Sequence, residues 1–189
     1  MMRVWVMRHG ESETNRDGLW GGQLDAPLTE RGIAQAIEAG KRLVGLHFDK
    51  IYASDLSRAR ATAENAIPGC RYETLCALRE MDVGDLAGTP YADLSEEARQ
   101  AVIRDGYGVY GGETKEAFRT RIDSFMRKLE SEDLQSVAVF THAGCMRQFF
   151  ELATGATFVR GGILCGNCAT AVYEYENGVW RLHSWYNLL

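Results

Sequence analysis

Two short apolar runs in this 189-residue chain end in the same way. Val4, Trp5 and Val6 run through Met7 into Arg8, His9 and Gly10, and Ser136 to Thr141 (SVAVFT) runs into His142, Ala143 and Gly144. Runs this short and this apolar suit strands buried on both faces, as in parallel sheets. In such sheets ligands bind beyond the carboxyl ends of the strands, so polar residues delivered there face a crevice and not the core. Two strands that end on histidine therefore predict one crevice holding both imidazoles. Parallel strands also need long crossovers, and the rest of the chain reads as a supply of them.

The spacing predicts a strand over 2–8, then a helix over 30–46 with Thr29 as N-cap and Ile33, Ile37, Gly40 and Val44 at helical intervals. A short strand over 50–53 leads into an alanine-rich helix over 55–66. A strand near 71–76 precedes an irregular stretch over 78–90. Helices are expected over 93–104 and 113–130, the second with Phe118, Ile122, Phe125, Met126 and Leu129 on one face. After the second histidine, 144–154 is helical, with Met146, Phe149, Phe150 and Ala153 inward. The end reads as a hairpin, Ala169–Tyr175 and Val179–Trp185, about an Asn177-Gly178 turn. The fold expected is α/β: a three-layer α/β/α sandwich with a mainly parallel central sheet and an antiparallel C-terminal strand pair. It forms one domain over 1–189, with a short lid at about 81–112. The apolar hairpin residues, among them Val172, Tyr173, Trp180 and Trp185, suit either a covered core or a homo-oligomer.

Composition narrows the partners. The net charge is −5, which argues against nucleic acid as the main partner, because neutralising phosphates needs a basic face. One cationic cleft is still compatible with that total. No apolar run approaches the roughly 20 residues of a membrane helix, and Arg8 interrupts the first apolar stretch at once, so neither a membrane span nor a signal peptide is expected. Cys70, Cys76, Cys145, Cys165 and Cys168 make an odd set without regular spacing. That suits reduced thiols and a cytoplasmic setting.

A third chemical element follows the strand at 50–53. In Ser54-Asp55-Leu56-Ser57-Arg58-Ala59, Arg58 falls in the first turn of a helix, where a cation opposes the helix dipole. A bound anion would resolve the conflict. Arg8, Arg58, His9, His142 and the free N–H groups after Gly144 thus suit a phosphoryl group, with Asn15 and the backbone near Gly10 as further donors.

In order, "RHGESETN", "YASDLSRARATAE", "LREMDVGDLAG", "GGET" and "FTHAGCMR" resemble the histidine phosphatase, or phosphoglycerate mutase-like, superfamily from residue 3 to about 150. The resemblance extends to its small phosphatase branch of α-ribazole-phosphate and broad-specificity phosphatases. It implies that His9 is the nucleophile that becomes phosphohistidine and Glu80 the acid–base carboxylate. It also implies that Arg8, Asn15, Arg58 and His142 hold the phosphate, with no metal and no cofactor. His9 must attack as neutral imidazole, so its other ring nitrogen should donate to a carbonyl. The expected reaction is hydrolysis of a small phosphomonoester, such as α-ribazole 5'-phosphate or a sugar phosphate. The alternatives are a phosphoglycerate mutase and an inert phosphate-binding scaffold. A mutase must shield its intermediate from water, and the short lid argues for hydrolysis.

Around the site, Gly10, Ala143, Gly144, Tyr107 and Tyr110 are candidate substrate or backbone contacts, and Trp20 and Tyr91 are candidate stacking rings. Asp82 and Asp85 beside Glu80 would repel a carboxylate-rich leaving group. Gly106-Tyr107-Gly108-Val109-Tyr110-Gly111 spells GxGxxG but follows a helix, so it reads as a flexible loop and not a dinucleotide fingerprint. Cys165 and Cys168 form a lone CxxC without a second pair. Cys145 sits where helix N–H groups would lower a thiol pKa. His47 and His183 read as structural or exposed.

Overall fold

The computed structural model describes residues 1–158 and 163–188. Six strands form one sheet in the order β3-β2-β4-β1-β5-β6. They are β1 (Met2–Arg8), β2 (Lys50–Ser54), β3 (Glu73–Leu75), β4 (Ser136–Thr141), β5 (Thr170–Glu176) and β6 (Val179–Tyr186). The first four are parallel, and β5 and β6 continue the sheet antiparallel beyond β1. The alternation of side chains along each strand explains why the sheet needs helices on both faces. Met2, Val4 and Val6 of β1, with Val137 and Val139 of β4, enter one core; Met7, Ala138 and Phe140 enter the other.

The first core is closed by α5 (Lys115–Ser131) and α6 (Ala143–Thr154). The five apolar residues expected on α5 are all buried there. The second is closed by α2 (Glu30–Gly40) and α3 (Ser57–Ala66). Here the stripe expected at Ile33, Ile37, Gly40 and Val44 is corrected at every position but Gly40. Ile33 and Ile37 are 38% and 52% exposed, Val44 lies beyond the helix and is exposed, and the buried residues are Gly32, Ala36, Ala39 and Gly40. The reason is proximity: a Cβ at Gly40 would lie 2.3 Å from the carbonyl oxygen of Ala66 on α3. A contact that close selects small residues, whatever larger apolar groups sit on the outer face.

Two shorter pieces complete the chain around the sheet's carboxyl edge. The turn helix α1 (Glu13–Arg16) follows β1, and α4 (Glu96–Asp105) lies in the segment between β3 and α5. That segment has its own small apolar cluster of Val83, Leu86, Leu94, Val102 and Tyr107, with Trp20, Met81 and Tyr110 against it. The GxGxxG stretch is no loose loop: Gly106 pairs with Thr114 across an isolated bridge, and Gly108–Tyr110 is a single tight helical turn. A Cβ at Gly84 would lie 1.9 Å from the Tyr110 carbonyl oxygen, so this turn is packed hard on the chain after Glu80. Among the described residues no helix is long and apolar enough to cross a membrane.

Candidate active site

Adjacent strands bring the two histidines together. β1 and β4 are paired with Arg8 opposite Thr141, and the His9 amide donates to the Thr141 carbonyl at 2.9 Å. His9 and His142 follow one residue later, with ring centroids 5.1 Å apart and ring planes at 62°. That separation is close to the spacing of neighbouring strands, about 4.8 Å. The ring Nδ1 of His9 lies 2.6 Å from the carbonyl oxygen of Gly10. A carbonyl only accepts, so Nδ1 carries the proton and Nε2 keeps its lone pair. Burial lowers the His9 pKa well below its ordinary value, and the positive charges of Arg58 and Arg8 lower it further. His142 is also buried and shifted down, by burial first and Arg58 next. Its Nε2 is 2.9 Å from Ser54 Oγ at the end of β2, while Nδ1 is buried with no partner among the described residues.

Gly10 serves His9 and not the cavity. Its N–H donates to Thr62 Oγ1 at 3.0 Å, its carbonyl accepts the hydrogen bond from His9 Nδ1–H, and an added Cβ would lie 2.3 Å from the Gly32 carbonyl oxygen. Of the two roles expected for Gly10, substrate or backbone contact, the structure gives it backbone contacts to His9 and Thr62, and it is absent from the cavity wall.

Two arginines stand beside the imidazoles. Arg58 is 2% exposed and donates to the carbonyls of Leu24 and Gly22, both at 2.7 Å. Arg8 donates from Nη1 to the Cys165 carbonyl at 2.6 Å, and its Nε is buried without a partner among the described residues. Burial lowers the pKa of both guanidiniums, as expected of cations held out of water without a carboxylate paired to them. Asn15 closes α1 with a capping box, its Oδ1 accepting from the Ser12 N–H at 3.3 Å and from Asn167 Nδ2 at 3.1 Å. With the oxygen occupied twice, the Asn15 amide has its two N–H groups to offer to the cavity it lines.

Glu80 faces them from the chain after β3. Its Oε2 accepts from the Gly144 N–H at 2.9 Å and its Oε1 from the Met81 N–H at 2.8 Å. Behind it, Arg121 of α5 donates to the carbonyls of Ala77, Arg79 and Glu80 and forks onto Glu113, which accepts from the Asp82 N–H. On the other side Arg79 makes a two-pronged pair with Asp55 at 2.8 and 2.6 Å. Sequence reading missed this clamp, because Arg121 looks like any charged position on the outer side of an amphipathic helix. Cys145 is drawn into the same support. Its Sγ lies 3.0 Å from the Arg79 carbonyl, and burial pushes the thiol pKa up to about 12, the opposite of the shift expected from the helix N-terminus.

These groups open into a cavity of about 510 Å³, a volume suited to a whole metabolite. Arg8, His9, Asn15, Arg58, Glu80, Ala143 and Gly144 line it; His142 is completely buried just behind His9. Trp20, Tyr91 and Tyr107 line it too, with Trp20 edge-on to each of the two tyrosines, whereas Tyr110 packs into the small cluster and is absent from the wall. Asp82 and Asp85 are also absent: Asp82 turns back to accept from the Gly84 N–H, and Asp85 is exposed. The repulsion expected from them is therefore removed. Arg147 and Gln148 of α6, one turn beyond Gly144, do line the cavity, as do Lys115 and Arg99. Helical spacing of 144, 147, 148 and 151 was the signal that would have found the α6 pair. Cys165 and Cys168 are free thiols, and no group of three or more His, Cys, Asp or Glu placed to hold a metal ion occurs among the described residues. His47 is exposed, and His183 sits 3.6 Å from Glu174 on the outer strands.

Known proteins resemble the chain in this arrangement. A family model described as the histidine phosphatase superfamily, branch 1, matches residues 4–188. The adenosylcobalamin/alpha-ribazole phosphatase of Salmonella typhimurium is 35% identical over 153 residues, 77% of this chain and 76% of that protein. A protein of Salmonella paratyphi A named "Probable phosphoglycerate mutase GpmB" is 28% identical over 98% of this chain and 90% of its own length. The crystal structure of TTHB049 from Thermus thermophilus superposes with a TM-score of 0.79 at 32% identity, covering 99% of this chain and all of that one.

Proposed function

This chain belongs to branch 1 of the histidine phosphatase superfamily and is a phosphatase, and we propose that it works through a phosphohistidine formed at Nε2 of His9. The observation that carries this is the His9 Nδ1–H bond to Gly10, in a cavity wall shared with Arg8, Arg58 and Glu80. It leaves Nε2 as the basic nitrogen, and burial beside two arginines keeps the imidazole neutral and able to attack. Nε2 attacks phosphorus, the P–O bond to the leaving alcohol breaks, and Glu80 supplies the proton that the alcohol oxygen takes. Glu80 then accepts a proton from water as that water attacks the phosphohistidine, and the N–P bond breaks to release phosphate. Charge on the transferring group is held by Arg8 and Arg58, with Asn15 and Nδ1 of His142 as further donors.

The leaving group is a small hydroxyl-bearing metabolite set against the Trp20, Tyr91 and Tyr107 wall. α-Ribazole 5'-phosphate leads the compounds to test because a relative is named for it, followed by sugar phosphates. The mutase reaction stands as the second reading because the relative named for it covers 98% of this chain. Purified protein with excess EDTA, assayed on p-nitrophenyl phosphate and this panel, should release phosphate, and His9→Ala should lose at least ~10³-fold in kcat. Rapid acid-free quenching should trap phosphate on the native chain as an acid-labile adduct. Undiminished activity in His9→Ala sinks the mechanism; phosphoryl movement between hydroxyls of a phosphoglycerate without release favours the mutase.

A further inference from the structure

The cavity continues past the phosphoryl end along α6, and its charge does not balance. Five cationic side chains line it, Arg8, Arg58, Arg99, Lys115 and Arg147, against the carboxylates of Glu80 and Glu151. A phosphomonoester dianion at Arg8 and Arg58 leaves the outer part still cationic, in a protein whose net charge is −5. Arg147 is half-buried and has no hydrogen-bond or ion-pair partner among the described residues. Its natural helical partner four residues on, Glu151, is turned away to accept from the Phe158 N–H at 2.9 Å. Arg147 also stands near enough to Arg8 to be among the charges that lower its pKa, so two like charges share one wall. Beside it Gln148 is 5% exposed, and its Nε2 is buried without an acceptor among the described residues. A buried donor left unpaired is unfavourable. Both residues belong to the wall of the same cavity, and Arg147 is the half-buried one that an entering acceptor meets.

We propose that Arg147 and Gln148 form a carboxylate subsite, so that the preferred substrate is the phosphate ester of a hydroxy acid whose ester oxygen and carboxylate are separated by a ring. With Arg8 and Arg58 on the phosphoryl group and Arg99 paired with Glu96 at 3.8 Å, Arg147 is the guanidinium left to meet a further negative charge. A carboxylate has two oxygens, one for the guanidinium fork and one for the amide N–H. The separation follows from α6: Gly144, which holds Glu80, is one turn from Arg147 and Gln148, a rise of about 5.4 Å. The Trp20, Tyr91 and Tyr107 wall suits the ring between. Asp82 and Asp85, which would have repelled such a group, point elsewhere.

This rests on the phosphatase reading, and the experiment separates the two. Phenyl, 4-carboxyphenyl and 4-carbamoylphenyl phosphates are compared on the native chain, Arg147→Gln and Arg147→Lys. The neutral carbamoyl group is the more electron-withdrawing, so intrinsic reactivity favours its ester over the carboxylate. The expected kcat/KM is at least tenfold higher for the carboxyphenyl than the carbamoylphenyl ester, mainly through KM. The ratio should fall to near one or below in Arg147→Gln and be partly kept in Arg147→Lys, each variant checked for native circular dichroism. Cleavage of all three with a native ratio of one or less, or a ratio that Arg147→Gln leaves unchanged, overturns the subsite and leaves the phosphatase reading standing. Cleavage of none overturns the phosphatase reading, and the subsite with it.

Discussion

At position 144 an added Cβ would lie 2.0 Å from Oε1 of Glu80. The same residue donates its N–H to that carboxylate, so its lack of a side chain is what lets the acid dock on the start of α6. Gly144→Ala should therefore separate two properties that usually fall together. Alanine favours a helix over glycine by up to about 1 kcal/mol, so Tm should hold or rise slightly. Displacing the proton donor should lower kcat by ~10²–10⁴-fold. Thermal unfolding and steady-state kinetics on one preparation check both halves, and a kcat within threefold of the native value would contradict the placement of Glu80. At this scale the sequence was most legible where a motif fixed the position: His9, Arg58 and Glu80 all reach the cavity. It was least legible where a residue's role was not set by its motif: Gly10 and Tyr110 look like site residues and are not on the wall, Arg147 ends the stretch FTHAGCMR with no role assigned to it, and Gln148 looks like ordinary helix surface.

The elements divide the work unevenly. β1, β2, β4 and α6 supply rigid ends at which Arg8, His9, Ser54, His142 and Gly144 are fixed, whereas Glu80 sits on irregular chain that must be held from outside. The Arg121–Glu113 clamp does this, with Glu113 also taking the Asp82 N–H. Glu113→Ala should leave KM nearly unchanged, because Arg8 and Arg58 are positioned by other elements, and lower kcat by ~10²-fold through roughly 1 Å of movement at Glu80. A rise in KM with kcat intact would show that the clamp shapes the binding wall and not the acid. Helix and strand order was readable because the apolar runs of β1 and β4 and the stripe on α5 have clean periods. The inner face of α2 was not, since Ile33 and Ile37 dominate any apolar pattern. The contact at Gly40 and Ala66 is instead decided by the distance between two backbones, which no spacing of large residues encodes. The segment over 81–112 was unreadable for a related reason. Its turns are specified by glycines packed on distant chain, Gly84 on Tyr110 and Gly112 on Asp82.

Taken whole, the molecule keeps two imidazoles neutral and two arginines dehydrated in one place, and stability must register that. His9 and His142 have folded pKa values well below the ordinary value near 6.5, from burial first and the arginines next. The unfolded chain therefore binds more protons once pH drops below about 6.5, and the folded chain loses stability in that direction. Their contribution is fully present above pH 6.5 and declines as pH falls, by at most about 2.7 kcal/mol per unit for the two together. Urea unfolding of the ligand-free protein at pH 7.0 and 5.5 should show the midpoint falling, and saturating phosphate or vanadate should raise it at either pH. An unchanged midpoint would mean that the two imidazoles are already protonated, or that water reaches them. The pairing of Arg8 with Thr141 adds something that none of these measurements addresses. Slipping β1 by one residue against β4 would exchange the faces of every side chain on it and carry His9 out of step with His142. Phosphate release from a refolding chain would then count only correctly aligned sheets, which makes the enzyme's own turnover a clock for the moment its central strands lock.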